Sequence, residues 1–291
     1  MNYYKFCGLL FGTSLNLPFL KVNEVKSNFI QLIKVEADLI EKIVNIKEQN
    51  FYITKDWFYF KKFGTLCYYN HKENKLLYAT EDLKLFILLL TGYILKLLSI
   101  YFNFVLLHSA VISYKGKNII ILGNKGSGKS SIICNFLFLD DVYLITDDIF
   151  PIYAGKEDNF YGSYPYIKLW ENDLKNYWHG RKYFQVHPRI KKYFVEFKDK
   201  FICKINEINL CIILKFSKND ESYINFLKGK EKFLKLLDFV YMKKLIGIKE
   251  NEYLILADFI NKIPIYEFSR PLNYNSYMSF SFLRDFFRSV L

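Results

Sequence analysis

The residues with the clearest chemical signature form a glycine-rich segment, G-x-x-x-x-G-K-S, that runs from Gly123 to Ser130. The apolar residues Ile119–Leu122 precede it and predict a buried strand, and an apolar stretch able to form a helix follows it. Glycine adopts backbone conformations that are closed to residues with a Cβ, so successive N–H groups can turn toward an anion at a helix N-terminus. The segment therefore predicts a phosphate-binding loop, although a plain turn between a strand and a helix would use similar residues.

Each residue type in this loop suits one part of a nucleotide bound with Mg²⁺. The Lys129 ammonium would reach the outer phosphates, and the Ser130 hydroxyl would bind Mg²⁺. The residues expected to contact the nucleotide are Gly123, Asn124, Lys125, Gly126, Ser127, Gly128, Lys129, Ser130 and Ser131.

Two adjacent carboxylates, Asp147 and Asp148, follow the apolar stretch Val142–Thr146, which predicts a further strand. One carboxylate can hold Mg²⁺ through water, and the other can accept a proton from an attacking hydroxyl. Because adjacent residues of a strand point to opposite faces, we expect two separate roles rather than one shared site. The alternative is that one aspartate is functional and the other caps a turn.

A histidine, His108, lies within the apolar run 104–112 that precedes the loop strand. The run 104–112 and the stretch 118–122 are separated by a short turn, so we expect an antiparallel pair. His108 is then either a core histidine with one hydrogen bond or a partner that orients Asp147.

The elements that must position these residues indicate an α/β fold. Strand patterns follow at 208–214 and 263–268, and helix patterns at 228–246, 253–261 and 276–291, while 151–204 predicts irregular, basic loops. The domain organisation we predict is a small β-rich N-terminal domain at 1–80 for recognition or support, a connecting helix at 81–103, capped by Thr80, and a catalytic domain at 104–291.

Bulk properties exclude several classes of protein. The chain has 291 residues, of which 52% are hydrophobic, and a net charge of +12. That charge fits acidic partners, but no motif supports nucleic-acid binding, so we expect none. The odd number of scattered cysteines predicts a reducing cytoplasm rather than disulfides or zinc. Lys96 interrupts the one long apolar run, so we expect a buried helix and no membrane span.

Taken together, these motifs resemble the HPr serine kinase/phosphorylase family, which is related in fold to ATP-dependent phosphoenolpyruvate carboxykinase. The resemblance comprises a histidine on the preceding strand, the phosphate loop and the Asp-Asp pair. It implies a mixed-sheet P-loop kinase core that uses ATP and Mg²⁺. Carried over, it makes Asp147 the general base, His108 its support and Lys129 a charge-neutralising residue. Asp148 and Ser130 would then hold the metal.

A second resemblance links 164–170, 180–182 and 263–271 to smaller HPr-kinase-like proteins of modified-peptide gene clusters, including those for lasso peptides. Those proteins phosphorylate a serine of a precursor peptide. The resemblance makes Lys168, Arg181 and Lys182 candidates for substrate contacts, although each could equally be a solvated surface charge.

Two features of the sequence differ from true HPr kinases. The glycine-rich signature that follows their Asp pair is not recognisable here, and residues 1–80 do not resemble their N-terminal domain. We therefore expect an ATP-dependent kinase for the serine hydroxyl of a peptide or small protein, and it could be a homo-oligomer. The alternatives are an HPr-type protein kinase and a non-catalytic ATP-binding regulatory or scaffold protein.

Overall fold

The computed structural model describes residues 1–23, 28–45, 49–155 and 160–291. These residues form two compact units, Met1–Phe102 and Asn103–Leu291, which we call unit 1 and unit 2. Each unit combines helices with strands, and the two main sheets contain both parallel and antiparallel pairs. The expectation of a mixed α/β chain is confirmed at this level.

Unit 1 is built around one twisted sheet whose strands follow the order β3-β1-β2-β4-β8-β7-β6-β5. Its elements are β1 Asn2–Phe6, β2 Leu9–Thr13, β3 Leu20–Val22, β4 Ile30–Lys34, α1 Ala37–Val44, β5 Phe51–Ile53, β6 Trp57–Lys62, β7 Thr65–Asn70 and β8 Lys75–Ala79.

The two-residue turn between β6 and β7 shows how the sequence sets this sheet. Phe63 and Gly64 have φ values of 53° and 73°, the positive pair that lets a tight hairpin match the twist of its strands. The hairpin pairs Lys62 with Thr65 and brings Phe58 beside Tyr69, with ring centroids 5.3 Å apart. Aromatic packing of this kind makes up much of the unit 1 core.

A long apolar helical segment completes unit 1. It comprises α2 Leu83–Leu89, a π-helical turn at Leu90–Ile94 and α3 Leu95–Phe102. The cap is Asp82 rather than the expected Thr80, because the Asp82 carboxylate accepts the Leu85 N–H at 2.9 Å. By length and composition alone these 20 residues could cross a membrane, but 67% of the most apolar window is buried inside the protein. The segment expected to connect two domains is thus grouped with unit 1.

Unit 2 contains the remaining described elements. They are β9 Phe104–Leu107, β10 Ser109–Tyr114, β11 Lys117–Gly123, α4 Lys129–Leu137, β12 Val142–Thr146, β13 Phe150–Tyr153, β14 Phe160–Tyr161, β15 Tyr166–Trp170, α5 Glu171–Tyr177, β16 Tyr183–His187, β17 Ile190–Glu196, β18 Lys204–Ile205, β19 Leu210–Ser217, β20 Tyr223–Phe226, α6 Gly229–Leu237, α7 Lys243–Ile246, α8 Glu250–Lys262, β21 Ile265–Pro271 and α9 Ser276–Val290.

The central sheet of unit 2 has the order β12-β10-β11-β19-β21-β20. β10 and β11 are antiparallel, as predicted, whereas β11, β19 and β21 run parallel. Helices α4 and α9 contribute to the core on one face, and α6 and α8 to the core on the other. Because β12 is antiparallel to β10, it runs in the same direction as β11. The carboxyl ends of β11, β12, β19 and β21 therefore share one edge, where ligands of α/β sheets bind.

Three expectations about unit 2 are wrong in detail. The run 104–112 is two strands in different sheets, interrupted at His108, whose N–H donates to the Phe239 carbonyl at 2.7 Å. The segment 228–246 does not form one helix. The chain leaves α6 to pair with β9, and α7 begins only after Met242. The segment 151–204, expected to be irregular, contains the sheet β15-β17-β16 and helix α5.

Candidate active site

The glycine loop, residues 123–130, joins the end of β11 to the first turn of α4. Gly126 and Gly128 have φ values of 83° and 77°, which residues with a Cβ rarely adopt. Gly123 is required for space, because a Cβ there would lie 2.4 Å from Ser127 Oγ. The Ser127 N–H donates to the Asn124 carbonyl at 3.0 Å and closes the loop. The result is a tight turn of backbone amides at a helix N-terminus, a geometry suited to an anion.

The Lys129 side chain is buried beneath this loop. Its ammonium donates to the Gly123 carbonyl at 2.5 Å and lies 3.2 Å from His108 Nε2. Burial lowers the Lys129 pKa to about 8, although the nearby carboxylates of Asp147 and Asp148 act in the opposite direction. The ammonium thus lies close to a cavity, and among the residues that the structure describes no carboxylate contacts it directly, which leaves it available to an anionic ligand.

Asp147 follows β12, and each of its two carboxylate oxygens accepts a hydrogen bond. One carboxylate oxygen accepts the Ser130 hydroxyl at 3.0 Å, and the other accepts the Lys168 backbone N–H at 2.9 Å. Burial and the neighbouring Asp148 charge raise the Asp147 pKa. Asp147 is therefore tied directly to the first turn of the helix that carries the glycine loop.

Asp148 has different partners. Its carboxylate lies 2.6 Å from Lys168 Nζ and 3.4 Å from His108 Nδ1, and its carbonyl accepts from His108 Nδ1 at 2.8 Å. Burial opposes ionisation of Asp148, but the positive charges of Lys168, His108 and Lys192 outweigh it and hold the pKa of the carboxyl well below its ordinary value. Burial and the Lys129 charge lower the His108 pKa. Asp148 is thus a carboxylate held ionised beside a basic residue.

Both aspartates face the same cavity, contrary to the expectation from strand alternation. β12 ends at Thr146, and Asp148 has a φ of 85°, so the period of two that governs a strand no longer applies. The partners also differ from those expected: His108 contacts Asp148 rather than Asp147, and Ser130 contacts Asp147 rather than Asp148. The interruption between β9 and β10 places the histidine in that position.

Only one of the three residues expected to contact substrate lies at the site. Lys168 is buried, and its pKa is raised well above the ordinary value because Asp148 outweighs desolvation. Arg181 instead pairs with Asp199 at 2.6 Å and stacks on the Phe197 ring, 4.2 Å away. Lys182 is exposed, and its carbonyl accepts the Glu196 N–H at 2.9 Å. Neither Arg181 nor Lys182 lines the cavity next to the glycine loop.

That cavity has a volume of about 590 Å³, within the range of small-molecule sites. The glycine loop, Lys129, His108, both aspartates and Lys168 line it. Residue types and spacing did not reveal the rest of the lining, although Trp170 and Arg270 fall in the segments 164–170 and 263–271 that carry the second resemblance. The lining residues missed from the sequence are Trp170, Asp173, Lys192, Phe216, Arg270, Tyr274, Asn275 and Ser276.

The donor set beside the loop suits a hard cation. Ser130 Oγ and the Asp147 carboxylate supply oxygen ligands 3.0 Å apart, the chemistry that Mg²⁺ prefers. Among the residues the structure describes, no group of three or more His, Cys, Asp or Glu side chains is arranged to hold a metal alone. Mg²⁺ is commonly bound by one or two carboxylates together with substrate phosphates.

Comparisons with known proteins give little beyond this geometry. No protein-family profile matches the chain, and no curated protein matches it. Among solved structures, the HPr(Ser) kinase/phosphatase from Coxiella burnetii aligns with a TM-score of 0.33 and 12% identity, covering 63% of this chain and 97% of that one. A TM-score of this size does not establish a common fold.

Proposed function

We propose that this chain is a Mg²⁺-ATP-dependent kinase that transfers the γ-phosphoryl group to a serine-type hydroxyl. One observation supports the proposal above the others. A glycine loop, a buried lysine and two carboxylates, each with its own partner, converge on one cavity although they come from separate elements of unit 2. Phosphoryl transfer requires these parts: an anion cradle, a cation beside the phosphates, oxygen ligands for Mg²⁺ and a carboxylate for the acceptor.

The glycine loop and Lys129 would hold the triphosphate. The amides at the start of α4 carry partial positive charge and point toward the position of an anion. Lys129 now donates to the loop carbonyls of Gly123 and Asn124, at 2.5 and 3.4 Å, and a bound phosphate would be a stronger acceptor. The negative charge of the ligand would also restore the pKa of this lysine.

Ser130 and Asp147 would hold Mg²⁺, which reverses the metal assignment expected from the resemblance. Their hydrogen bond places both oxygens at the start of α4, where the phosphates would lie. When bound, Mg²⁺ would neutralise charge that develops on the phosphate oxygens. The Lys168 N–H holds the second Asp147 oxygen and so fixes the orientation of the carboxylate.

Asp148 would orient the acceptor hydroxyl and take its proton. Its side chain is the more exposed of the two carboxylates and lines the cavity, and His108 and Lys168 hold it from two sides. The low pKa keeps Asp148 ionised and able to accept a hydrogen bond from the hydroxyl, and because the transition state of phosphoryl transfer is loose, positioning of that hydroxyl matters more than the basicity of the carboxylate. Most of the acceleration would then come from positioning and charge.

The acceptor we propose is a serine of a peptide or small protein, following the resemblance of residues 107–149 and 164–170 to serine kinases. The cavity supports this class of acceptor because the exposed Trp170 and the half-buried Lys192 line it, where they could contact a side chain of a larger substrate. A cytoplasmic location, where ATP is available, belongs to the same proposal.

The experiment is to measure ATP binding by calorimetry with and without Mg²⁺, then to incubate the protein with γ-labelled ATP and a library of serine-containing peptides. A kinase binds ATP in the low micromolar to millimolar range and labels a subset of peptides, and a matched library with alanine in place of serine stays unlabelled. Tight binding without any labelled peptide would favour the non-catalytic ATP-binding protein. An absence of ATP binding would contradict both functions.

A further inference from the structure

The cavity is also lined by an arginine that the proposed mechanism does not use. Arg270 lies near the end of β21 and is 2% exposed. One of its terminal nitrogens donates to the Ser127 carbonyl, and the other donates to Ser279 Oγ at 2.5 Å. The guanidinium also lies over the Phe216 ring, 4.8 Å from its centroid. Arg270 thus connects the glycine loop to strand β21 and helix α9.

Within the parts of the chain that the structure describes, no carboxylate forms an ion pair with Arg270, and its Nε has no hydrogen-bond partner. Lys168, buried in the same cavity, provides the contrast, because Asp148 lies 2.6 Å from its ammonium. A buried charge that lacks a partner is costly, so proteins rarely retain one without a function.

The position of Arg270 indicates where its countercharge comes from. Arg270 lines the cavity together with the glycine loop, so an anionic ligand bound there would lie close to the guanidinium. A Cβ at Gly128 would lie 3.5 Å from the guanidinium, so the arginine is packed directly against the loop backbone. Because a peptide unit is planar and trans, fixing the Ser127 carbonyl toward Arg270 also fixes the Gly128 N–H in the opposite direction.

We propose that Arg270 is a phosphate-positioning residue: it holds the Ser127–Gly128 peptide of the glycine loop in its binding orientation, and the phosphate chain of the ligand is its missing countercharge. The inference rests on the proposed function of the glycine loop. It adds a role for the C-terminal strand and helix, which would sense whether an anion occupies the cavity.

The test compares Arg270→Met with Arg270→Lys and with a matched control, Arg288→Met, on the exposed face of α9. The probes are inorganic tripolyphosphate and ATP, measured by calorimetry, and thermal unfolding of the protein without ligand. Arg270→Met should weaken the binding of both probes about ten- to a hundredfold, because a charge-assisted contact is lost. Arg270→Lys should show a smaller loss, and Arg288→Met none.

The unfolding temperature separates positioning from a structural role. Arg270→Met removes a buried charge that has no ion-pair partner, which favours folding, but it also leaves the Ser127 carbonyl without its donor, which opposes it; because the two effects oppose each other, the ligand-free variant should unfold within a few degrees of the wild-type temperature. A lower unfolding temperature with unchanged affinity for tripolyphosphate would overturn the inference alone. Failure of the wild-type protein to bind tripolyphosphate would overturn the proposed function as well. If Arg270→Met does not fold, Arg270→Lys provides the test. Wild-type affinity for tripolyphosphate in Arg270→Lys would contradict a positioning role of the guanidinium, whose two terminal nitrogens donate to separate groups.

Discussion

The two units of this protein differ in the kind of side chain they bury. In unit 1 the large buried residues are mainly aromatic, as in the stack of Tyr78 on Phe86, with ring centroids 4.0 Å apart, although Lys96 of α3 is also fully buried. Unit 2 buries a cluster of charged groups around one cavity, including Lys129, Asp147 and Lys168. Apolar burial stabilises a fold, whereas a cluster of buried charges is costly and typical of a functional site. If the difference holds, substitutions at the cavity of unit 2 should change function far more than a substitution in the core of unit 1.

The largest effect should follow Asp148→Asn. This change keeps the shape of the side chain but removes the proton acceptor, so transfer to peptide should fall on the order of a hundred- to ten-thousandfold. ATP affinity should stay within a few-fold, since Asp148 contacts His108 and Lys168 rather than the glycine loop. Single-turnover transfer and calorimetry give the two values. Asp285→Asn, an exposed carboxylate on α9, is the matched control. Near-normal turnover in Asp148→Asn would show that the assignment of the base is wrong.

A somewhat smaller loss is expected for Lys129→Met. The variant removes a cation aimed at developing charge, which is worth on the order of a hundred- to a thousandfold in rate. ATP binding should weaken as well, because the lysine lies beneath the glycine loop. Lys262→Met, which removes an exposed lysine paired with Asp258 at 2.9 Å, should change neither quantity. Equal effects from the two lysine variants would indicate that net charge, rather than position, governs binding.

Asp147→Asn should change the Mg²⁺ dependence of ATP binding rather than the positioning of the acceptor hydroxyl. Loss of this carboxylate leaves Ser130 without its charged partner and should reduce Mg²⁺ affinity about ten- to a hundredfold. The apparent Mg²⁺ concentration for half-maximal ATP binding measures this shift. If Asp147→Asn abolishes transfer while Mg²⁺ dependence is unchanged, Asp147 is the base, as the resemblance originally implied.

Local patterns in the sequence predict part of this site. The strand, loop and helix at 117–137 follow from glycine spacing and apolar runs, which depend on near neighbours. The partners of the aspartates could not be predicted, because they depend on contacts between distant segments. His108 reaches Asp148 only because Phe239 interrupts its strand, and Lys168 is brought in by a sheet formed with β17. Arg270 is an ordinary strand residue until β21 places it against the loop.

A smaller effect is expected in the pH dependence of phosphate binding, because Lys129 changes its protonation when the ligand binds. Its pKa in the folded protein is about 8, below the ordinary value of 10.5, so between these values the folded state binds fewer protons than the unfolded state. The contribution of Lys129 to stability without ligand therefore rises with pH across that interval. A bound triphosphate favours the charged lysine, so binding at pH above about 8 should take up protons. Calorimetry in two buffers of different ionisation enthalpy detects this uptake, which Lys129→Met should remove. Identical heats for wild-type protein would contradict it.

The smallest effect on the site should come from a core substitution in unit 1. Leu76 lies on β8 and is fully buried, so Leu76→Ala should lower the unfolding free energy of that unit by about 2–5 kcal/mol through lost burial and a cavity. Hydrogen exchange of peptides from 57–79 measures the loss within unit 1, while calorimetry measures ATP affinity in the same full-length protein. We expect faster exchange in those peptides and an affinity within about twofold of wild type, since independent sites add with small coupling. A large loss of ATP affinity in Leu76→Ala would mean that the apolar core of unit 1 also supports the site, and that burial in the two units does not serve separate purposes.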